Sequence, residues 1–249
     1  MDKKIIIIPT YNEKENIEKI IRYVFALNQD FHILVVDDGS PDGTAEIVKK
    51  LIPEFEGNLF LEQRSGKLGL GTAYIYAFNW CLQRDYDFIF EMDADFSHNP
   101  NDLDRLYQKA KTENKDIVIG SRYCKGVNVV NWPMNRVLMS YYGSAYVRTI
   151  LRLPIHDTTA GFICYRRKVL ESINFDQIKH IGYGFQIEMK YISWKLGFQL
   201  AEVPIIFTDR TEGTSKMSKG IFKEAIFGVF KLKLSLCFGG LEKYRKTIS

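Results

Sequence analysis

The chain has 249 residues, 46% of them hydrophobic and 26% charged, with a formal net charge of +4 at pH 7. This composition excludes an intrinsically disordered chain, and the length allows one large α/β domain or two small ones with a sizeable core. The four cysteines form no Cys-x-x-Cys pair, which argues against a zinc site or a disulfide framework and is typical of a reducing compartment.

The first half of the chain alternates short apolar runs with helical patterns. Strands are predicted at residues 5–8, 33–36, 59–62, 88–92 and 117–120, with helices near residues 13–27, 43–51, 69–83 and 101–113. Near-continuous Ile/Val strands separated by helices indicate an α/β fold, a mostly parallel central sheet with helices on both faces. Ser40-Pro41 and Asn99-Pro100 each predict a helix N-cap followed by proline at the first helical position.

The second half is less regular. Helices are predicted at residues 135–151, 185–196 and 221–237, and strands near residues 161–165 and 200–207. No stretch reads as a linker, so we expect one domain over residues 1–219 with a C-terminal appendage at residues 220–249. The N-terminal MDKKIIIIPT passes directly from charge into a strand pattern, and we expect no signal peptide.

The C-terminal appendage is basic and amphipathic. From Arg210 onward there are nine Lys/Arg against three Asp/Glu. Lysines interrupt the apolar run of the last predicted helix, which is therefore too polar to cross a bilayer. Its apolar residues share one helical face, and that face either contacts an anionic membrane surface or packs on the domain.

The segment FIFEMDADFSHNP, residues 88–100, is the most informative. An apolar strand ends in Asp93 and Asp95, and residues i and i+2 of a strand point to the same side. Mg²⁺ and Mn²⁺ are commonly held by one or two carboxylates together with substrate phosphates. Two other Asp-x-Asp pairs, at residues 85/87 and 102/104, do not lie at the end of an apolar strand. The metal site is therefore indicated by the position of the motif and not by the motif alone.

Two further strands end in acidic residues. The first predicted strand runs into PTYNE, which places Tyr11 and Glu13 at a strand-to-helix turn, and the second ends in Asp37 and Asp38. Each feature alone is more often a core-covering tyrosine, an early helical glutamate or a turn aspartate. Together, three acidic strand ends at one rim would repel a bare diphosphate, which favours a metal–nucleotide complex as ligand.

The motifs PTYNE, DDGSPDGT, KLGLGTAY, MDADFSH and GSRY occur in this order. As an ordered set they resemble the GT-A-fold nucleotide-sugar glycosyltransferases, and within those they are most similar to the dolichol-phosphate (polyprenol-phosphate) mannose synthases. The resemblance extends from about residue 5 to residue 219. It implies an Mg²⁺- or Mn²⁺-dependent enzyme that transfers mannose from GDP-mannose to a polyprenyl (dolichyl) phosphate with inversion, peripheral at the cytoplasmic face of a membrane.

The resemblance also implies residue roles. The donor nucleotide is expected at Pro9, Tyr11, Glu13, Val36, Asp38, Asp93, Ala94, Asp95, Arg122, Arg210 and Lys216. Metal ligands are expected at Asp93 and Asp95, with Asp95 binding directly. Arg122, Arg136 and Ser140 are expected to hold the acceptor phosphate. Asp95, Arg122, Arg210 and Lys216 are expected to be catalytic, because they stabilise charge on the leaving diphosphate or orient the attacking phosphate.

Several alternatives remain open. A related enzyme could transfer glucose from UDP-glucose to a polyprenyl phosphate, because the motif sequences do not define which nucleobase is recognised near Tyr11 and Asp38. A non-catalytic protein could bind anionic lipid or nucleic acid through the basic tail, but it would leave the acidic strand ends unexplained, so we expect no nucleic-acid partner. His98, Asp157 and Glu188 could each be functional or structural, and a membrane-anchored partner subunit could assist docking.

Overall fold

The computed structural model describes residues 2–182, 184–209, 228–236 and 240–246. Its strands are β1 (Lys4–Thr10), β2 (Phe31–Asp37), β3 (Leu59–Gln63), β4 (Phe88–Glu91), β5 (Ile117–Ser121), β6 (Val129–Val130), β7 (Ile163–Arg166), β8 (Leu200–Pro204) and β9 (Phe207–Thr208). Seven of them form a sheet in the order β3-β2-β1-β4-β7-β5-β8, and β6 pairs separately with β9.

The described α-helices are α1 (Ile17–Ala26), α2 (Thr44–Leu51), α3 (Leu70–Leu82), α4 (Asp102–Thr112), α5 (Met134–Leu151), α6 (Arg167–Glu171) and α7 (Gly184–Lys195). Two 3-10 turns lie at Phe175–Gln177 and Glu242–Tyr244, and residues 228–236 are also helical. None of the helices in the described ranges is both long enough and apolar enough to span a bilayer.

The sheet is parallel except at β7, which runs antiparallel to both β4 and β5. Successive side chains of β1 point to opposite faces, and each face is covered. Ile5 and Ile7 belong to a core cluster that includes Phe78 of α3, whereas Ile6 belongs to a second cluster that includes Leu103 of α4. The predicted α/β fold, a mostly parallel sheet with helices on both faces, is therefore confirmed.

Both predicted N-caps were wrong. Helix α2 begins at Thr44, after Gly43 in a left-handed conformation (φ 90°), and α4 begins at Asp102. Ser40 does not cap a helix because its backbone N–H and hydroxyl both donate to the Asp37 carboxylate, at 2.9 and 2.6 Å. Asn99 accepts the N–H of Asn101 in a turn that precedes α4.

The predicted strand at 200–207 is split into β8 and β9, because β8 pairs with β5 whereas β9 turns away to pair with β6. Short elements such as α6 and β6 were not predicted. Their few residues carry too little periodicity to be recognised.

The described C-terminal residues pack on the domain. Val229, Leu232 and Tyr244 are buried in the cluster that contains Ile5 and Ile7. The Tyr244 hydroxyl donates to Glu188 Oε1 at 3.3 Å. Of the helix predicted at 221–237, residues 228–236 are helical, and the remainder lies outside the described residues.

Candidate active site

The candidate site lies beyond the carboxyl ends of the parallel strands, where open α/β sheets bind ligands. Two residues past β4, the chain reaches Asp93 and then Asp95, both partly exposed. Asp95 Oδ1 accepts the backbone N–H of Ser97 at 3.1 Å, and Phe96 between them has a left-handed backbone (φ 58°). The Asp-x-Asp motif is therefore held in a tight turn that follows the buried strand directly.

The oxygens at this turn fit a hard divalent cation. Among the described residues there is no cluster of three or more His, Cys, Asp or Glu that could enclose a metal. The Ser97 hydroxyl is nevertheless buried and makes no hydrogen bond in the structure. A buried polar atom without a partner needs an explanation, and a cation held by Asp93, Asp95 and Ser97 together with substrate phosphates supplies one. Ser97 was not predicted, although its position two residues after Asp95 was the available signal.

His98 contacts the Asp-x-Asp turn and packs against two aromatic rings. Its ring stacks on Phe162 (centroids 4.9 Å apart) and meets Phe207 edge-on at 5.4 Å. Burial lowers the pKa of His98 to about 4, so the ring is neutral at pH 7. Its Nδ1 accepts the backbone N–H of Asp93 at 3.3 Å. His98 therefore positions the Asp-x-Asp turn and does not cap α4.

The predicted nucleotide side is built on the ends of β1 and β2. Pro9 lies opposite Val36 in the sheet, and the Val36 side chain is fully buried, so only its backbone could contact a donor. Asp37 is also buried and accepts the Thr10 hydroxyl at 2.9 Å. Asp37 is thus a structural residue that joins the two strand ends. Asp38, the next residue, is the carboxylate that follows the end of β2 at the predicted nucleotide side.

Asp38 forms a two-point ion pair with Arg64, at 2.7 Å from Nε and 2.8 Å from Nη2. Arg64 also donates to the Thr72 hydroxyl at 2.9 Å, so it connects the end of β2 to the start of α3. Both charged side chains are more than nine-tenths buried. Sequence reasoning missed Arg64, although it directly follows β3, the parallel neighbour of β2.

Tyr11 and Glu13 lie beside the same loop. The Lys67 ammonium is 4.9 Å from the Tyr11 ring centroid, within range of a cation–π interaction. The backbone N–H of Glu13 donates to Thr44 Oγ1 at 3.0 Å, which fixes this turn against α2. The predicted nucleotide residues Tyr11, Glu13 and Asp38 are therefore brought to one rim by the starts of α1, α2 and α3.

The opposite side of the site is organised by Arg122, which follows β5. Its Nε and Nη2 atoms each lie 2.7 Å from a different oxygen of Asp157, and its backbone N–H donates to the same carboxylate at 3.0 Å. Burial alone would raise the pKa of Asp157, but Arg122 outweighs it and the pKa is lowered. Asp157, whose role the sequence left open, is the carboxylate that orients Arg122.

The predicted acceptor residues gather around Trp132. The Arg136 guanidinium lies 4.1 Å from a ring centroid of Trp132, and that of Arg122 lies 5.6 Å away. Ser140, one helical turn after Arg136, accepts the Tyr123 hydroxyl at 2.7 Å. The structure thus brings Arg122, Arg136 and Ser140 together. Trp132 was missed, although its position in the loop between the two arginines was a signal.

An open cavity of about 280 Å³ lies beside the Asp-x-Asp turn, and both Asp95 and Asp209 line it. Asp209 Oδ2 accepts from Arg136 Nη1 at 2.8 Å. Asp209 therefore both lines the cavity at the Asp-x-Asp turn and binds the arginine beside Trp132. Arg210 and Lys216, predicted to bind the donor diphosphate, lie outside the described residues.

A buried polar cluster underlies this edge of the sheet. Gln186 donates to Glu91 Oε2 at 2.6 Å, and the Lys190 ammonium, one turn further along α7, donates to the carbonyls of Thr158 and Ala160 at 3.2 and 2.6 Å. Burial raises the pKa of Glu91 to about 8 and lowers that of Lys190 to about 8. Lys190 thus holds the segment that carries Asp157.

Glu188 is the third residue whose role was open. Its fully buried carboxylate accepts the backbone N–H groups of Lys179 and His180 at 3.0 Å each, and lies 2.7 Å from His180 Nδ1. Its partners show a structural role in this part of the chain.

Comparison with known proteins agrees with this architecture. The family model of glycosyl transferase family 2 matches residues 5–173. The chain is 44% identical over 227 residues to the polyprenol monophosphomannose synthase of Mycolicibacterium smegmatis, covering 91% of this chain and 85% of the relative. It is 43% identical over 235 residues to the undecaprenyl-phosphate mannosyltransferase of Micrococcus luteus, covering 94% and 96%.

Among solved structures, glucosyl-3-phosphoglycerate synthase from Mycobacterium tuberculosis, in complex with Mn²⁺, UDP and glucosyl-3-phosphoglycerate, aligns with a TM-score of 0.66 over 95% of this chain and 80% of that one. At 20% sequence identity this likeness shows a shared fold.

Proposed function

The chain belongs to glycosyl transferase family 2, and from that premise we propose that it transfers mannose from GDP-mannose to a polyprenyl phosphate. The product is a polyprenyl mannosyl phosphate. The acceptor class and the sugar are supported by the two relatives above, whose names describe mannosyl transfer to polyprenol or undecaprenyl phosphate over nearly the whole length of this chain.

One observation carries the proposal at the level of chemistry. Arg122 and Arg136 lie next to the same aromatic residue, Trp132, and Asp209, which accepts from Arg136, lines a cavity together with Asp95. Guanidinium groups donate charge-assisted hydrogen bonds to phosphate oxygens, so two of them beside one ring are suited to a phosphate monoester. A carboxylate turn suited to a metal–diphosphate lines this cavity, and Asp209 connects it to the arginine pair.

The reaction we propose is a direct displacement. An oxygen of the acceptor phosphate attacks the anomeric carbon of mannose while the bond from that carbon to the GDP oxygen breaks. Bond formation opposite the leaving group inverts the anomeric centre, so an α-linked donor gives a β-linked product. A product with an α linkage would overturn this mechanism.

No strong general base is required, because the attacking phosphate is already an anion. Two nearby groups that could otherwise act as a base are already engaged in the structure. Asp157 is bonded to Arg122, and the neutral His98 accepts a backbone N–H. When bound at Asp93, Asp95 and Ser97, Mg²⁺ or Mn²⁺ would stabilise the negative charge that grows on the leaving GDP. Arg210 and Lys216 are proposed to share this role.

The decisive assay is incubation of the protein with GDP-mannose, Mg²⁺ and a polyprenyl phosphate, followed by detection of a mannolipid. Calorimetric titration with GDP and UDP, with and without Mg²⁺, tests the base. Tight GDP binding that depends on the metal is expected, and equally tight UDP binding would instead favour the UDP-glucose alternative.

We further propose that the protein acts peripherally at the cytoplasmic face of a membrane, with or without a membrane-anchored partner subunit. Removing the tail before Ile221 is a poor test of membrane contact, because it deletes the buried Val229, Leu232 and Tyr244 and would disturb the core. Point substitutions of exposed residues are the appropriate test.

A further inference from the structure

Four buried oxygen atoms where α3 and α7 pack on the sheet have no hydrogen-bond partner in the described part of the chain. They are the hydroxyls of Tyr74 in α3 and Tyr165 in β7, Oε1 of Glu91 in β4 and Oε1 of Gln186 in α7. Gln186 is 3% exposed and the other three residues are completely buried. Nearly all buried polar atoms in folded proteins are hydrogen-bonded, so these four require a partner. We call them the buried oxygen cluster.

Glu91, Tyr165 and Gln186 are close neighbours on one face of the sheet. In the antiparallel pair of β4 and β7, Ile89 lies opposite Tyr165 and Glu91 lies opposite Ile163. Glu91 and Tyr165 are therefore diagonal neighbours whose side chains point to the same face. Gln186 joins them there, since its Nε2 donates to the second carboxylate oxygen of Glu91, Oε2, at 2.6 Å.

Tyr74 reaches the same place from α3. Its ring stacks on Phe185, the residue before Gln186, with centroids 6.0 Å apart. The rings of Tyr74 and Tyr165 both contact Phe78, at 6.1 and 5.6 Å. The pKa of each tyrosine hydroxyl is raised, chiefly by burial and further by the nearby carboxylate at the end of β4. Both hydroxyls therefore keep their protons at pH 7 and are donors close to that carboxylate.

The Lys190 ammonium, one turn after Gln186 on α7, does not supply the missing bonds. An ammonium group has three N–H donors. Those of Lys190 go to the backbone carbonyls of Thr158, Ala160 and Gln186, at 3.2, 2.6 and 3.2 Å. Its capacity to donate is therefore used, and Glu91 Oε1 needs another donor.

The buried oxygen cluster has matched hydrogen-bonding roles. Each tyrosine hydroxyl can donate one hydrogen bond, whereas the oxygens of an ionised carboxylate and of an amide can only accept. A group that completes all four must accept two hydrogen bonds and donate two, which is the capacity of a single water molecule. Buried waters typically make about three hydrogen bonds, and up to about four, to polar groups that would otherwise be unsatisfied.

We propose that the buried oxygen cluster is a water-binding site, and that the bound water joins α3, β7 and α7 to the strand end that carries the Asp-x-Asp turn. Glu91 is the last residue of β4, two residues before Asp93. Tyr74 lies two residues after Thr72, whose hydroxyl accepts from Arg64. The water therefore connects the donor-side helix α3 to the predicted metal motif and positions one against the other. This positioning role rests on the proposed function, whereas the water site does not.

Tyr74→Phe and Tyr165→Phe test the site, because a bonded and an unbonded hydroxyl predict opposite results. If each hydroxyl donates to the water, each variant should lower the folding equilibrium constant of the full chain about fivefold, measured by urea denaturation. If the hydroxyls have no partner, their removal leaves the constant unchanged or raises it, and the proposal is overturned. Tyr86→Phe calibrates the loss, because the buried Tyr86 lies with its hydroxyl 2.9 Å from Nδ1 of His32.

The double variant Tyr74→Phe/Tyr165→Phe shows whether the two hydroxyls share one partner. The second substitution should cost less than it does alone, since the water has then already lost one of its donors. Strictly additive losses would contradict a shared water. A high-resolution crystal structure of wild type should show solvent density within about 3 Å of all four oxygens. A site without such density would equally overturn the proposal.

The positioning role has a separate readout in nucleotide binding. In Tyr74→Phe and Tyr165→Phe the Kd for GDP in Mg²⁺ should rise about threefold or more, with the Kd in EDTA unchanged. Tyr86→Phe should alter neither value. Lower stability without any change in the Mg²⁺-dependent part of GDP binding would exclude the positioning role.

The outcomes also separate this inference from the proposed function. If wild type binds no GDP and transfers no mannose, but the solvent density and the non-additive losses are found, the water site stands and the proposed function fails. If mannose transfer occurs as proposed and neither tyrosine variant loses stability, the function stands and the water site fails.

Two other arrangements of the buried oxygen cluster predict different results, and each would overturn the proposal. If Glu91 carries a proton and donates it to Gln186 Oε1, the tyrosine hydroxyls take no part and both Tyr→Phe variants are as stable as wild type. If the four oxygens bind a monovalent cation, the stability of wild type depends on the choice of Na⁺ or K⁺ at constant ionic strength. A water site gives no such dependence.

Discussion

The guanidinium of Arg122 and the carboxylate of Asp157 form a two-point ion pair that is nearly sealed from water. Asp157 is completely buried, and only 8% of Arg122 is exposed. The Thr159 hydroxyl accepts a further hydrogen bond from Arg122 Nη2 at 2.8 Å. The guanidinium of Arg122 donates three hydrogen bonds, two to Asp157 and one to Thr159, and these define its plane. Its orientation toward Trp132 is therefore set before any ligand binds.

Replacing Asp157 with asparagine should therefore impair both stability and transfer. Removing one partner of a buried ion pair leaves the other charge uncompensated and costs about 3–5 kcal/mol. We expect a loss of that order in the free energy of unfolding, measured by urea denaturation, and a fall in kcat at the remaining folded population. Asp176→Asn, at an exposed position, is the control. A variant as stable and active as wild type would show that the pair does not orient Arg122.

Lys190 should matter through the segment it holds. In Lys190→Met the carbonyls of Thr158 and Ala160 lose their donor, and an unsatisfied buried carbonyl costs about 1–3 kcal/mol. We expect a loss of stability in that range, partly offset because a buried charge is removed. We also expect a higher KM for the acceptor with donor affinity unchanged, since Asp157 lies on the acceptor side.

The control for Lys190 is Lys19→Met on the exposed face of α1. Equal effects of the two changes on the acceptor KM, or a change in donor affinity alone, would contradict the positioning role. The split between the two substrates is the readout that a purely structural lysine would not produce.

The sequence predicts those parts of this molecule in which neighbours along the chain determine the outcome. Buried strands such as β1 and β2 are rich in Ile, Leu and Val, so their positions were predictable, and so was the placement of acidic residues near their ends. The Asp-x-Asp turn was identifiable for the same reason. The comparisons do not test the assigned roles of the individual site residues, and these stay predictions.

What could not be predicted is pairing between distant segments. Arg122 and Asp157 are 35 residues apart, and Glu91 and Gln186 are 95 apart. No local pattern distinguishes an aspartate that will meet a buried arginine from one in a turn. Ser40 illustrates the same difficulty at short range, because its competing bond to Asp37 displaced the start of α2 by several residues.

Arg64 should be required for donor binding although it was not predicted. In Arg64→Leu, Asp38 loses its two-point partner and the link to Thr72 is broken, so the rim that carries Asp38 is no longer fixed. We expect the Kd for GDP, measured by calorimetry, to rise about tenfold, which corresponds to about 1.4 kcal/mol. Arg64→Lys, which cannot form the two-point ion pair with Asp38, should have a Kd for GDP between those of wild type and Arg64→Leu.

The control for Arg64 is Arg22→Leu, which removes an ion pair to Glu54 at the surface. Exposed pairs contribute little, so GDP binding should be unchanged there. Weakening of GDP binding by both variants to the same extent would mean that the position of Asp38 is not responsible.

The metal prediction can be tested by asking whether two perturbations act on the same interaction. If Asp95 holds the cation that bridges to the diphosphate, Asp95→Asn and chelation by EDTA remove the same contact. Each alone should weaken GDP binding about tenfold or more, and adding EDTA to Asp95→Asn should have little further effect.

Ser97→Ala, which deletes the buried hydroxyl without hydrogen-bond partners, should give a smaller loss of GDP affinity in the same direction. Asp104→Asn is the matched control, because it changes an Asp-x-Asp pair in α4 where the carboxylate accepts from Gln108. Additive effects of Asp95→Asn and EDTA would place the cation elsewhere, and GDP binding insensitive to EDTA in wild type would exclude a bridging metal altogether.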